Sequence, residues 1–160
     1  MGSISNLVVE ALNELGFSLT PKPELGMPSL PRDITELPDE DLMDLFVQYT
    51  QWNDHLAGAY AIAVVNEREA ESKLKSAEAD LLLKNWTGAK GDRVTLIKAQ
   101  IQASPAIQEL IYDLDTKYAF RKIIETRTQN IERDANVVSR ELTRRTSDGG
   151  LRSRQRKFTA

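Results

Sequence analysis

The side chains best placed for chemistry in this 160-residue chain are cations, gathered in two groups. Arg144, Arg145, Arg152, Arg154, Arg156 and Lys157 crowd the end of the chain and run into Phe158. Such density can neutralise several phosphates, and an aromatic ring among cations can stack on an unpaired base. A second group, Lys84, Lys90, Arg93 and Lys98, surrounds Trp86. One aromatic among cations suits single-stranded nucleic acid, whose bases present their faces; the alternative is that Trp86 simply caps the hairpin core. The two groups together form the candidate nucleic-acid contact set.

Other chemistry finds little material. His55 is the one histidine and there is no cysteine, so thiolate metal sites, disulfides and schemes built on paired histidines are excluded. Glu67, Glu69, Glu71, Glu78 and Asp80 are spaced like the solvated face of a helix with intrahelical ion pairs. No Glu-x-x-His pair accompanies them, which argues against a di-iron bundle. Gly88-Ala89-Lys90-Gly91 lacks the spacing and the Lys-Ser/Thr ending of a phosphate loop. The expectation is a chain with no catalytic residues, no metal and no cofactor.

The elements that must carry these cations are helical. Leu7, Val8, Leu12 and Leu15 recur at helical spacing and Gly16 follows as a C-cap, predicting a short helix over 3–15. Pro21, Pro23, Pro28 and Pro31 with Gly26 then exclude regular structure as far as Leu37 and favour an extended arm. That arm is either a flexible linker or a strap laid along a neighbouring subunit. At Leu37-Pro38-Asp39-Glu40-Asp41 a helix starts, since proline is tolerated in a first turn and carboxylates suit the positive end of the helix dipole. Leu42, Phe46, Tyr49, Trp52, Leu56 and Tyr60 open its apolar stripe, which turns to alanine beyond Ala63 and allows close helix pairing. The stripe predicts a rod of roughly 65 Å. Gly88 and Gly91 reverse the chain. Residues 93–102 are amphipathic and suit a short helix.

Ser104-Pro105 marks the second long start, with Ser104 as N-cap and Pro105 as the first helical residue. Ile124, Ile131, Val138 and Leu142 carry its stripe to about Arg145, and Asp148-Gly149-Gly150 should end it. The fold class is therefore all-α: an N-terminal short helix and proline-rich arm over 1–37, a long antiparallel helical hairpin over 38–145, and a basic tail over 146–160. Two helices cannot cover every apolar position alone. The stripe residues Leu42, Phe46, Tyr49, Trp52, Leu56, Tyr60, Ile124, Ile131, Val138 and Leu142 are thus also expected to meet further copies or partners, with a homo-oligomer the first expectation.

Bulk properties agree with a thin, elongated core. Hydrophobic residues make up 41% and aromatics only 6%, enough to zip helices together but not to fill a thick centre. A net charge of −3 hides a polarity along the chain: nine acids face Lys22 and Arg32 up to Leu45, whereas twelve Lys or Arg outnumber five acids from Thr116 onward. Such asymmetry fits either nucleic-acid contact at the basic end or head-to-tail attraction between copies. Residues 1–17 lack the basic start of a signal peptide, and no run nears the roughly 18–20 apolar residues that span a bilayer. No membrane contact is expected.

The order Tyr49-Thr50-Gln51-Trp52, Trp86-Thr87-Gly88, Lys98 and Ser104-Pro105 resembles phage recombination mediators of the UvsY type. The resemblance is one of layout over the central part of the chain. It implies a ring-forming protein in the host cytoplasm that binds single-stranded DNA and helps to load a RecA-like recombinase. In that family basic side chains near the end of the first long helix contact DNA; here Ala79-Asp80-Leu81-Leu82-Leu83 holds that place, with Lys84 its one cation. The proline-rich arm and arginine-rich tail are extra, and they suit the alternative of a virion component that binds phage head or neck proteins.

Overall fold

The computed structural model describes residues 3–86 and 94–158, with side chains described as far as residue 147. The chain is all-α: α1 (Ile4–Glu14), α2 (Asp39–Asn85), α3 (Val94–Gln102) and α4 (Pro105–Phe158), with no strand among the described residues. The two long helices, α2 and α4, pack against each other. Two compact units divide the chain, Met1–Ser18 with Ala59–Ile124 and Leu19–Gly58 with Glu125–Ala160, and both long helices contribute to both.

In the second unit α2 opens at Asp39, where the Pro38 carbonyl accepts the Leu42 N–H at 3.0 Å. Asp39, Glu40 and Asp41 fill the first turn, the favourable end of the helix dipole for carboxylates. The start of α2 runs antiparallel to the end of α4: Asp39 meets Arg145, and Tyr49 lies near Asp134. Leu42, Tyr49, Trp52 and Leu56 on one helix and Ile131 and Val138 on the other are buried. The Trp52 ring meets His55 edge to face at 5.9 Å. The Tyr49 hydroxyl and the Trp52 indole N–H are buried without a hydrogen-bond partner among the described residues.

The proline-rich arm is seated on its own helices in this unit. His55 Nδ1 donates to the Thr20 carbonyl at 2.9 Å. A Cβ on Gly58 would lie 3.3 Å from Leu19, so the glycine, costly inside a helix, leaves room for the arm to pass closely. Met27, Pro28, Ser29 and Leu30 line a cavity of about 500 Å³ together with Arg127, Asn130, Ile131, Arg133 and Asp134 of α4. The strap therefore runs along its own hairpin.

In the first unit the end of α1 is a glycine cap of the Schellman kind. Gly16 takes φ 81° and donates to Asn13, while Phe17 N–H reaches Leu12 at 2.9 Å. At its start, Ser3 makes no side-chain cap bond to the helix, and α1 has no acid in its first turn. Glu69 of α2 supplies both: its Oε2 accepts Ile4 N–H at 3.1 Å and the Ser3 hydroxyl at 3.0 Å. Here too the long helices run antiparallel, with Glu67 paired to Arg121 and the buried Ala63 and Ala70 permitting close approach. Ile97 and Ile101 of α3 pack with Ile107 of α4 against Leu74, Ala77, Leu81 and Leu82.

Two expectations need correction. The stripe residues do not wait for other copies. Leu42, Tyr49, Trp52, Leu56, Ile124, Ile131 and Val138 are buried by the chain itself, and Phe46, Tyr60 and Leu142 are half-buried. The arm beside Ile131, and α3 against Leu74, Ala77, Leu81 and Leu82, add cover that two helices lack. Nor does helicity stop at Asp148-Gly149-Gly150: α4 continues to Phe158, making the basic segment part of the long helix. Ser104 precedes α4 and its carbonyl accepts the N–H groups of Ile107 and Gln108, but its hydroxyl is buried without a partner among the described residues.

Candidate nucleic-acid interface

The last turn of α2 positions the first candidate group. Asn85 Nδ2 donates to the Leu81 carbonyl at 2.8 Å, and Trp86 N–H satisfies the Leu82 carbonyl at 3.0 Å, one that the helix end would otherwise leave open. Lys84 is exposed in that turn, where a cation complements the negative end of the dipole. Trp86 is 45% exposed. The apolar cluster of α2, α3 and α4 in this unit closes without it. The indole is therefore open in part to solvent, two residues along the chain from the Lys84 ammonium group.

Lys98 is carried by α3. It is exposed and lines a cavity of about 340 Å³ with Lys75, Glu78, Ala79, Leu82, Ile101 and Gln102. Its neighbour Lys75 is ion-paired to Glu71 at 2.6 Å. Lys90 and Arg93 lie outside the described residues. Arg152, Arg154, Arg156 and Lys157 belong to the helical backbone of α4, and their side chains also lie outside the described set.

Arg145 leaves the candidate set for a physical reason. A guanidinium has five N–H donors. Nε gives one to Glu141 at 2.8 Å, and Nη1 gives two, to the Leu37 carbonyl at 2.7 Å and Asp39 at 2.6 Å. Nη2 gives two more, to the carbonyls of Ile34 at 3.1 Å and Thr35 at 3.0 Å. All five are committed to the chain's own arm and helices, and only 19% of the side chain is exposed. Arg144 makes a two-pronged pair with Glu141 at 2.8 and 2.7 Å but remains 55% exposed. The Glu141 carboxyl, held by Arg144 and Arg145, is drawn down to about 2.

No protein-family model, curated protein or solved structure matches this chain. Among the described residues no three His, Asp or Glu groups converge as metal ligands would. No helix among the described residues is long and apolar enough to cross a membrane.

Sequence reasoning missed two working groups, the Arg145 clamp and the Glu69 cap. Arg145 reads in the sequence as one more cation of a basic cluster, and nothing local indicates that its fork reaches carbonyls 108 to 111 residues earlier. Glu69 reads as one more surface acid paired with Lys73.

Proposed function

We propose that this chain is a non-enzymatic accessory protein of DNA recombination that binds single-stranded DNA. The observation that carries the reading is the exposure of Trp86 beside Lys84, where a tryptophan serving only to cap the hairpin core would be covered. Stacking on an indole is tolerant of sequence and adds about 1–3 kcal/mol per base, while lysines track the phosphates. The helical continuation of α4 through Arg152, Arg154, Arg156 and Lys157 adds a second basic element. Partnership with a RecA-like recombinase is the most specific part of the proposal and draws its support from the sequence layout alone. The rival reading, a virion subunit that laces neighbours together with its arm, loses its main support because the arm is seated on its own helices.

The two tryptophans make the test direct. Trp52 is 7% exposed and Trp86 45%, so titration with oligo-dT should quench the Trp86 emission and spare that of Trp52. Affinity should fall steeply with salt, as counterion release requires. Trp86→Ala should abolish the quench and weaken binding, and alanine at Arg152, Arg154, Arg156 and Lys157 should flatten the salt dependence. Failure to bind oligo-dT at low salt would overturn the proposal.

A further inference from the structure

In the second unit α4 turns a polar, basic face to solvent. Gln129, Arg133, Asn136, Arg140, Arg144 and Ser147 follow one another at three- and four-residue spacing, so they share one stripe of the helix, and all are exposed. The stripe is about 27 Å long. No acid stands on it. Arg133 is 69% exposed and its partner Asp134 only 19%, while Arg144 is 55% exposed and the Glu141 it grips only 7%. In each pair the cation lies outside and the carboxylate beneath. Asp33 of the arm sits towards Glu141, and exposed Glu132 lies about a quarter turn round the helix, so these acids flank the stripe without entering it. Between Glu125 and Ser147 no large hydrophobic side chain of α4 is exposed.

From this stripe we infer that α4 binds the phosphate backbone of double-stranded DNA. The residue types select that partner. Arginine, asparagine, glutamine and serine are side chains that hold phosphate oxygens, the first by charge and the others by hydrogen bonds. A protein partner would draw on aromatic or aliphatic anchors at the centre of the contact, and a bilayer surface on an apolar face to insert. The stripe supplies neither. Nor does it carry a ring on which an unpaired base could stack, the feature that holds single strands. A duplex needs no such ring, because its bases are already stacked, and it lays down about one charge per 1.7 Å of axis, so cations anywhere along the stripe meet phosphates. The ion pairs to Asp134 and Glu141 hold two of the guanidinium groups against the helix, which lowers the side-chain entropy lost on binding. This duplex surface is separate from single-strand binding at Trp86 and does not rest on it.

The test is titration of a short labelled duplex with the full-length chain, followed by fluorescence anisotropy over a range of salt. Binding at low salt is expected, and Arg133→Gln and Arg140→Gln should each lower the slope of log affinity against log salt by about 1. Arg127→Gln removes the same charge from an exposed position of α4 about a third of a turn off the stripe, and should leave the slope unchanged. All three side chains are exposed, so helicity should match that of the parent chain. No duplex binding at low salt, a slope unmoved by the stripe variants, or an equal loss from Arg127→Gln would each overturn the inference. Polyglutamate should compete poorly; competition equal to that of unlabelled duplex would make this a general acid-binding face and count against it. The duplex should bind without quenching Trp86, so failure with oligo-dT leaves this inference standing, and failure with duplex leaves the single-strand reading standing.

Discussion

Asp39, the first residue of α2, accepts a 2.6 Å hydrogen bond from Nη1 of Arg145, which follows it by 106 residues. The same guanidinium holds the carbonyls of Ile34, Thr35 and Leu37, so one side chain fixes both the start of a long helix and the end of the arm that leads into it.

Replacing that fork should free the arm before it unfolds the hairpin. In Arg145→Ala, trypsin should cut after exposed Arg32 faster by roughly an order of magnitude, since cleavage follows local opening. Arg145→Lys should behave nearly as badly, because an ammonium keeps the charge but not the five planar donors. Peptide mapping of a timed digest checks both; unchanged cleavage after Arg32 would show that the arm is held by other contacts.

Acid should loosen α1 by way of Glu69. Its carboxyl is lowered from 4.5 to about 2, first by Lys73 and then by the Ile4 N–H and the Ser3 hydroxyl. A folded value below the unfolded one means that the stabilisation is complete above about 4.5 and is lost as pH falls towards 2. Glu141, lowered to about 2 by Arg144 and Arg145, adds a loss of the same sign over the same window. Glu69→Gln should flatten the part of the melting temperature against pH curve that belongs to α1. Hydrogen exchange at the α1 amides separates that part from the part due to Glu141.

Tyr49 should respond at the opposite end of the scale. Burial first, and then the negative charge of Asp134, raise its hydroxyl from 10.0 to about 12. The neutral form is favoured in the fold, so stability is intact below 10 and declines as pH rises towards about 12. Tyr49→Phe removes a buried hydroxyl that has no hydrogen-bond partner among the described residues, and should leave the melting temperature at neutral pH unchanged or raise stability by up to about 1 kcal/mol. The same variant should lose the alkaline decline, which thermal melts between neutral and alkaline pH would show.

Core and surface positions on the same helices should separate cleanly. Ile107, fully buried in the cluster of α2, α3 and α4, should cost about 2–5 kcal/mol when changed to alanine. Leu83, 75% exposed on α2, should cost under about 0.5 kcal/mol. Urea midpoints for the two variants provide the comparison, and comparable losses would show that Leu83 is covered in solution.

Much of the helical pattern was legible because its signals are local. Periodic apolar residues from Leu42 onward, the acids at 39–41, Ser104-Pro105 and Gly16 each act within a turn or two of themselves. The end of α4 was not, since Gly149-Gly150 carries a breaking signal that the helix overrides. Contacts between distant residues were the other gap. Periodicity identifies Tyr49 and Val138 as apolar-face positions but does not say whether an arm, a helix or another molecule covers them. Of the candidate site, the exposure of Trp86 was open in the sequence because a tryptophan at a hairpin end serves equally well as plug or platform. Arg145 is the clearest misreading: an arginine beside others reads as a phosphate ligand until its partners, all distant in sequence except Glu141, are in place.

The arm's attachment to Arg145 also orders events on the ribosome. Residues 34–39 emerge early, yet the side chain that secures them is synthesised more than a hundred residues later. Contacts of such long separation form late. Through most of translation the end of the arm at Ile34, Thr35 and Leu37 has no clamp, and α2 lacks the distant anchor of its first residue, so a nascent chain cut short before Arg145 would leave that end unfastened while Thr20 can already meet His55.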